Sequence, residues 1–194
     1  DLEQQWLVGQ TRTQLFRSTT LPLWLATVLA GTEVRVAFLC GAPCSGKTET
    51  TRKLHKAFGS RLSIVSDDLI LDNNNSKQES VAVYSSEEFP TALQCPDTKV
   101  VLVDDGHTRF EYFSPRLIAA LSMGVQLKNF AWFVFDSGLP EAAEVTHLIN
   151  IQQNRVKDGW QRNEGISACK SQRKMATPNK IWNEVKNLRS QYFP

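Results

Sequence analysis

Short apolar runs recur along the chain, each closed by a polar or glycine-bearing break, with longer stretches of helical spacing between them. Residues 34–40 are apolar and rich in β-branched side chains, the pattern of a buried strand. Residues 49–58 have helix length and stop at Gly59. Residues 61–66 predict a second strand, ending in Asp67-Asp68, and residues 99–105 a third that closes on Asp104-Asp105. A helix follows from about Ser114-Pro115, with the proline in its first turn, to Met123, where Gly124 stops it. Residues 127–136 hold the fourth strand, and residues 140–154 read as a helix. Thr177-Pro178 cap a last helix, with Ile181, Trp182, Val185 and Leu188 on one face. The stretch before Pro96 reads as irregular, with a helix possible from Ser85, where Ser85-Ser86-Glu87-Glu88 has capping character. Strands alternating with helices predict an α/β domain, three layers deep around a mainly parallel sheet.

Residues 1–30 fit this alternation less well. Trp6, Leu7, Leu15, Phe16, Leu21, Leu23, Trp24 and Leu25, split by Pro22, predict one or two helices on the edge of the sheet. They form a helical extension ahead of a domain spanning 31–194, with an amphipathic partner or membrane helix as the alternative reading. The run 21–30 is too short to cross a bilayer. The chain opens at Asp1 with no Met and no basic, apolar signal pattern, which suggests a domain cut from a larger polypeptide.

Composition changes this picture little. At 194 residues the chain is long enough for one domain with a full core. A net charge of +2 provides no overall field for nucleic acid or membrane, so any basic surface is local. The densest basic stretch is Arg155, Lys157, Arg162, Lys170, Arg173 and Lys174, a short lid over about 155–174. Cysteines at 40, 44, 95 and 169 have neither metal-site spacing nor a disulfide framework, which fits a reducing, cytoplasmic compartment.

The chemistry centres on Gly41-Ala42-Pro43-Cys44-Ser45-Gly46-Lys47-Thr48, which fits G-x-x-x-x-G-K-[ST] between a strand and a helix. Glycines let the backbone wrap an anion, the N–H groups and helix N-terminus supply partial positive charge, and Lys47 adds a full one. This predicts binding of a nucleoside triphosphate, ATP or GTP, by the P-loop of an NTPase fold. Thr48 and Asp104 would hold Mg²⁺, and Asp104 follows an apolar strand as such a carboxylate must.

With those residues in place, the chain resembles P-loop kinases of the polynucleotide kinase type from Val34 onward. That group includes kinases of charged tRNA and the kinase domains of RNA-repair ligases. The loop is similar to the family's G-x-P-G-S-G-K-[ST], with Cys44 replacing a glycine. Ser66-Asp67-Asp68 resembles its strand-end acid motif, and residues 103–109 its D-x-T/N-x segment. Phe135-Asp136, Pro140-Glu141 and Asn154-Arg155 are similar to its strand, helix and arginine-bearing lid; Thr177-Pro178 and Phe193-Pro194 resemble its ending. The resemblance implies phosphoryl transfer from ATP or GTP to a nucleic-acid hydroxyl, most simply an RNA 5′-hydroxyl. Lys47 would hold the phosphates, Asp67 would act as general base, and Arg155 would neutralise charge on the transferred group, with Arg162 a further phosphate contact. Ile70 stands where polynucleotide kinases carry an arginine for the acceptor phosphate, and only Arg155 matches the lid's usual two arginines.

Two other readings compete. The chain is also similar to the first domain of superfamily-1 helicases of positive-strand RNA viruses. Asp104-Asp105 then form the Walker B pair, and Ser171-Gln172-Arg173 with Pro178 resembles T-x-R…P, but that family's G-D-x-x-Q motif is missing. The third reading, motivated by Cys44 and Ile70, is a module that binds nucleotide or RNA without turnover.

Overall fold

The computed structural model describes residues 15–66, 83–104, 110–157 and 176–192. Six strands make one sheet: β1 (Leu15–Arg17), β2 (Arg35–Gly41), β3 (Leu62–Val65), β4 (Val83–Tyr84), β5 (Val100–Val103) and β6 (Phe130–Phe135). Among the described residues six α-helices accompany them: α1 (Leu21–Val28), α2 (Lys47–Phe58), α3 (Phe89–Gln94), α4 (Phe110–Ser122), α5 (Glu141–Lys157) and α6 (Pro178–Tyr192). The strand order is β1-β6-β2-β5-β3-β4, and every adjacent pair is parallel. The expected α/β architecture with a mainly parallel sheet is therefore present.

Alternation along the strands separates two cores. On one face Val36, Phe38, Cys40, Val101, Val103, Phe130, Trp132 and Val134 meet α3, Phe113, Leu117 and Ala120 of α4, and Leu188 of α6. On the other, Ala37, Leu39, Val100, Leu102, Ala131 and Phe133 meet Leu21 and Leu25 of α1 and Leu54 of α2. The first face holds an aromatic stack, with Phe38 lying 5.5 Å from Trp132 and 5.3 Å from Phe113. β2 is buried on both faces after Arg35, which is why residues 35–41 read as a continuous apolar run.

Several expectations need correction. Leu15 and Phe16, expected in a helix, lie in edge strand β1, paired with Trp132 and Phe133. Pairing satisfies the open edge of β6 and stacks Phe16 on Phe133 at 5.5 Å, neither of which local spacing reveals. Pro22 does not split a helix but sits in the first turn of α1, where its missing N–H costs nothing. α1 lies on a face of the sheet rather than its edge. Pro115, expected in a first turn, is interior to α4, which begins at Phe110. Burial of Phe113, Leu117 and Ala120 outweighs the ~3 kcal/mol that such a proline costs. The stretch expected to be irregular contains β4, whose Val83 pairs with Ile64 of β3. The helix possible from Ser85 begins later, at Phe89 with Glu88 as its N-cap, and the Ser85 N–H and hydroxyl, donating to Glu88 at 2.8 and 2.9 Å, close a turn ahead of α3 rather than cap it. Among the described residues no helix is long and apolar enough to cross a membrane.

Candidate functional site

β2 and β5 are neighbours, yet the helices that follow them lie on opposite faces: α2 packs through Leu54 on one and α4 through Phe113 on the other. Ligands of open parallel sheets bind outside the carboxyl ends of strands at such a divergence. Here those ends carry the turn 42–46 from β2 and Asp104 from β5.

The turn is tight. Ser45 N–H donates to the Ala42 carbonyl at 3.2 Å, and Thr50 N–H to Gly46 at 3.0 Å. Gly46 precedes α2 with φ 94°, a left-handed conformation that glycine adopts without strain. Cys44 takes φ 67° without that freedom. Ala42 is buried with Val145 and Leu148 of α5 and Ile181 and Val185 of α6, and Cys44 packs against the same cluster. The α5–α6 pair thus forms a wall behind the turn.

Lys47 opens α2 and is only 9% exposed. Its ammonium donates to the carbonyls of Gly41 at 2.7 Å and Ala42 at 3.1 Å, and reaches Ser45 Oγ at 3.5 Å. Thr51 Oγ donates back to the Lys47 carbonyl at 2.9 Å, fixing the first turn of α2. A buried ammonium is tolerated only with such partners. It stands beside the first N–H groups of α2, which have no intrahelical acceptor. Thr48 follows, half-buried.

Asp104 is 5% exposed and its N–H donates to the Val65 carbonyl at 2.9 Å, tying the ends of β5 and β3 together. It continues the alternation that turns Val100 and Leu102 toward the α2 face. Among the described residues no three His, Cys, Asp or Glu side chains gather to hold a metal. Mg²⁺ does not need them, because it retains waters and takes phosphate oxygens beside one or two carboxylates. The Thr48 hydroxyl and the buried Asp104 carboxylate fit that donor set. Together the lysine, helix terminus, hydroxyls and carboxylate suit a polyanion that arrives with a divalent cation.

Of the residues expected from sequence, Gly41 through Thr48 and Asp104 therefore lie at one edge of the sheet. Arg155 falls near the end of α5, while Asp67 and Arg162 lie outside the described residues.

A second group, which sequence spacing did not bring together, lies at the same carboxyl end of the sheet. Asp136 directly follows β6, Glu144 lies in the first turn of α5, and Arg189 comes from α6. Arg189 Nη2 donates to Asp136 Oδ1 at 2.9 Å, to Glu144 Oε2 and to the Leu139 carbonyl. Gly138 N–H donates to Asp136 at 3.3 Å and Ser137 N–H to Glu144 at 3.2 Å. Burial, and then the neighbouring Asp136, push the Glu144 carboxyl above its ordinary value. Burial opposes Asp136 as well, but Glu144 and Arg189 hold its carboxyl below the usual range. Nearby, burial pushes the Cys40 thiol up to about 12, beside the Tyr192 hydroxyl of α6.

Neither the protein-family models nor the curated proteins give a match to this chain.

Proposed function

We propose that this chain is a phosphotransferase that binds ATP or GTP with Mg²⁺ at residues 41–48 and passes the γ-phosphoryl to a hydroxyl, an RNA 5′-hydroxyl being the acceptor. The observation that carries the reading is the buried Lys47 ammonium at the head of α2, held on the Gly41 carbonyl at the end of β2, with the buried Asp104 just past the end of the adjoining β5. A fixed positive centre and an oriented carboxylate are what phosphoryl transfer asks of a protein, since its catalysis is mostly positioning and charge stabilisation. Lys47 and the loop amides bind and orient the phosphates. Thr48 and Asp104 hold the metal, which when bound neutralises charge on the phosphate oxygens. By the family resemblance Asp67 accepts the acceptor proton and Arg155 or Arg162 faces the transferred group.

The test is transfer of label from γ-labelled ATP, and separately GTP, to a short RNA bearing a 5′-hydroxyl. Lys47→Ala should lower transfer by a factor on the order of 10²–10³, and Asp67→Ala by about 10²–10⁴. Free phosphate without labelled RNA, unchanged in Asp67→Ala, overturns the kinase reading in favour of a nucleic-acid-dependent NTPase. Nucleotide binding with no turnover overturns it in favour of a binding module.

A further inference from the structure

We propose that Asp136, Glu144 and Arg189 form a proton-dependent latch that seats the α5–α6 pair behind the turn 42–46 and so sets the geometry of that turn. Its effect on nucleotide binding rests on the function proposed above; the latch itself does not.

The argument starts from position. Asp136 is one residue past Phe135, the register partner of Gly41. Arg189 bonds Asp136 and Glu144 with the same Nη2, joining the end of β6 to both helices at one point. At the far end of the pair, Gln152 Nε2 of α5 donates to the Ala176 carbonyl just ahead of α6 at 2.8 Å. Between these fasteners, Val145, Leu148, Ile181 and Val185 press on Ala42. The turn therefore rests against helices whose seating depends on the cluster.

The cluster balances only with one proton. Two carboxylates share one guanidinium, so with Glu144 protonated the group is neutral, and with Glu144 ionised it carries one excess negative charge. The charged groups acting on Glu144 are Asp136 from the end of β6 and Arg189 from α6. Glu141 and His147 lie a turn away on α5, and Lys186 a turn away on α6. Glu144, with its raised carboxyl, contributes stability that is complete below its ordinary value and lost as pH rises through the raised one. Asp136, with its lowered carboxyl, contributes stability present above its ordinary value and lost as pH falls through the lowered one. The latch is tightest in mild acid and loosens toward alkali.

Amide hydrogen exchange at Ser45, Ser137 and Glu144 reads this directly, corrected for intrinsic rates at about pH 5 and about pH 8. Protection in the wild-type chain should fall with pH, roughly tenfold for each unit by which the Glu144 carboxyl is raised. Glu144→Gln removes the titration but keeps one acceptor oxygen where the carboxylate takes the Ser137 N–H and Arg189 on separate oxygens, so its protection should be lower in level yet flat with pH. In Asp136→Asn, Glu144 keeps its burial but loses the neighbouring carboxylate, so the slope should be clearly shallower than the wild type's; this variant decides the matter should Glu144→Gln fail to fold. A flat wild-type profile, or an Asp136→Asn slope like the wild type's, overturns the latch. Titration with Mg-ATP and with Mg-GTP at both pH values separates the two proposals. Affinity that follows protection supports the coupling. Expected protection with neither nucleotide bound at either pH leaves the latch standing and overturns the nucleotide reading.

Discussion

A β-carbon added to Gly41 would lie 2.5 Å from Ser45 Oγ and 2.8 Å from Phe135 Cβ. The serine hydroxyl can turn away, but Phe135 Cβ is anchored to the backbone of β6, so the sheet itself would have to give. Gly41→Ala should therefore destabilise the fold by about 1–3 kcal/mol, read as a lower urea midpoint. Gly41, Gly46 and Lys47 were legible as a candidate site because a strand, a tight turn and a helix start are all local, and the spacing of these residues records them. Asp104 was legible for a similar reason, an acid closing an apolar strand. Arg189 was not, because its partner Glu144 is 45 residues away and an arginine on a helix carries no mark of where it points. The left-handed Cys44 was visible only as a missing glycine, not as a backbone conformation.

Among the helices, α6 was well placed by its pattern and its cap, since Lys180 N–H donates to Thr177 Oγ1 at 3.2 Å. The apolar face expected there included Trp182, which the structure turns outward at 41% exposure while Ile181 is fully buried. Successive helical residues differ by about 100°, so Ile181, Val185 and Leu188 share a stripe that their neighbour Trp182 leaves. Hydrophobicity alone placed it with them. Ile181→Ala should cost about 2–5 kcal/mol in thermal or urea unfolding. Trp182→Ala should cost well under half of that, although it removes the larger side chain. β1 and β4 escaped the sequence reading for a different reason: strands of three and two residues have no period to detect, and the pairing that creates them is long-range.

The whole sheet hangs on β2, which is buried on both faces and belongs to both cores. Neither core can dissolve without exposing the strand they share. Unfolding in urea should accordingly be a single transition, with the fluorescence of buried Trp132 and the far-ultraviolet circular dichroism giving the same midpoint. Two midpoints would mean that part of the molecule, the α5–α6 pair foremost, comes apart separately. The strand order also bears on how the chain is born. Of the strands among the described residues β1 leaves the ribosome first, but there it pairs only with β6, and Leu15 waits for Trp132, over a hundred residues later. At translation speeds of about 5–20 residues per second, that wait is on the order of ten seconds. For about half of it, from the end of β2 until β5 is made, the nascent chain carries the apolar β2 without either flanking strand, so truncated products ending before Phe130 should be the ones that chaperones hold and that aggregate when released.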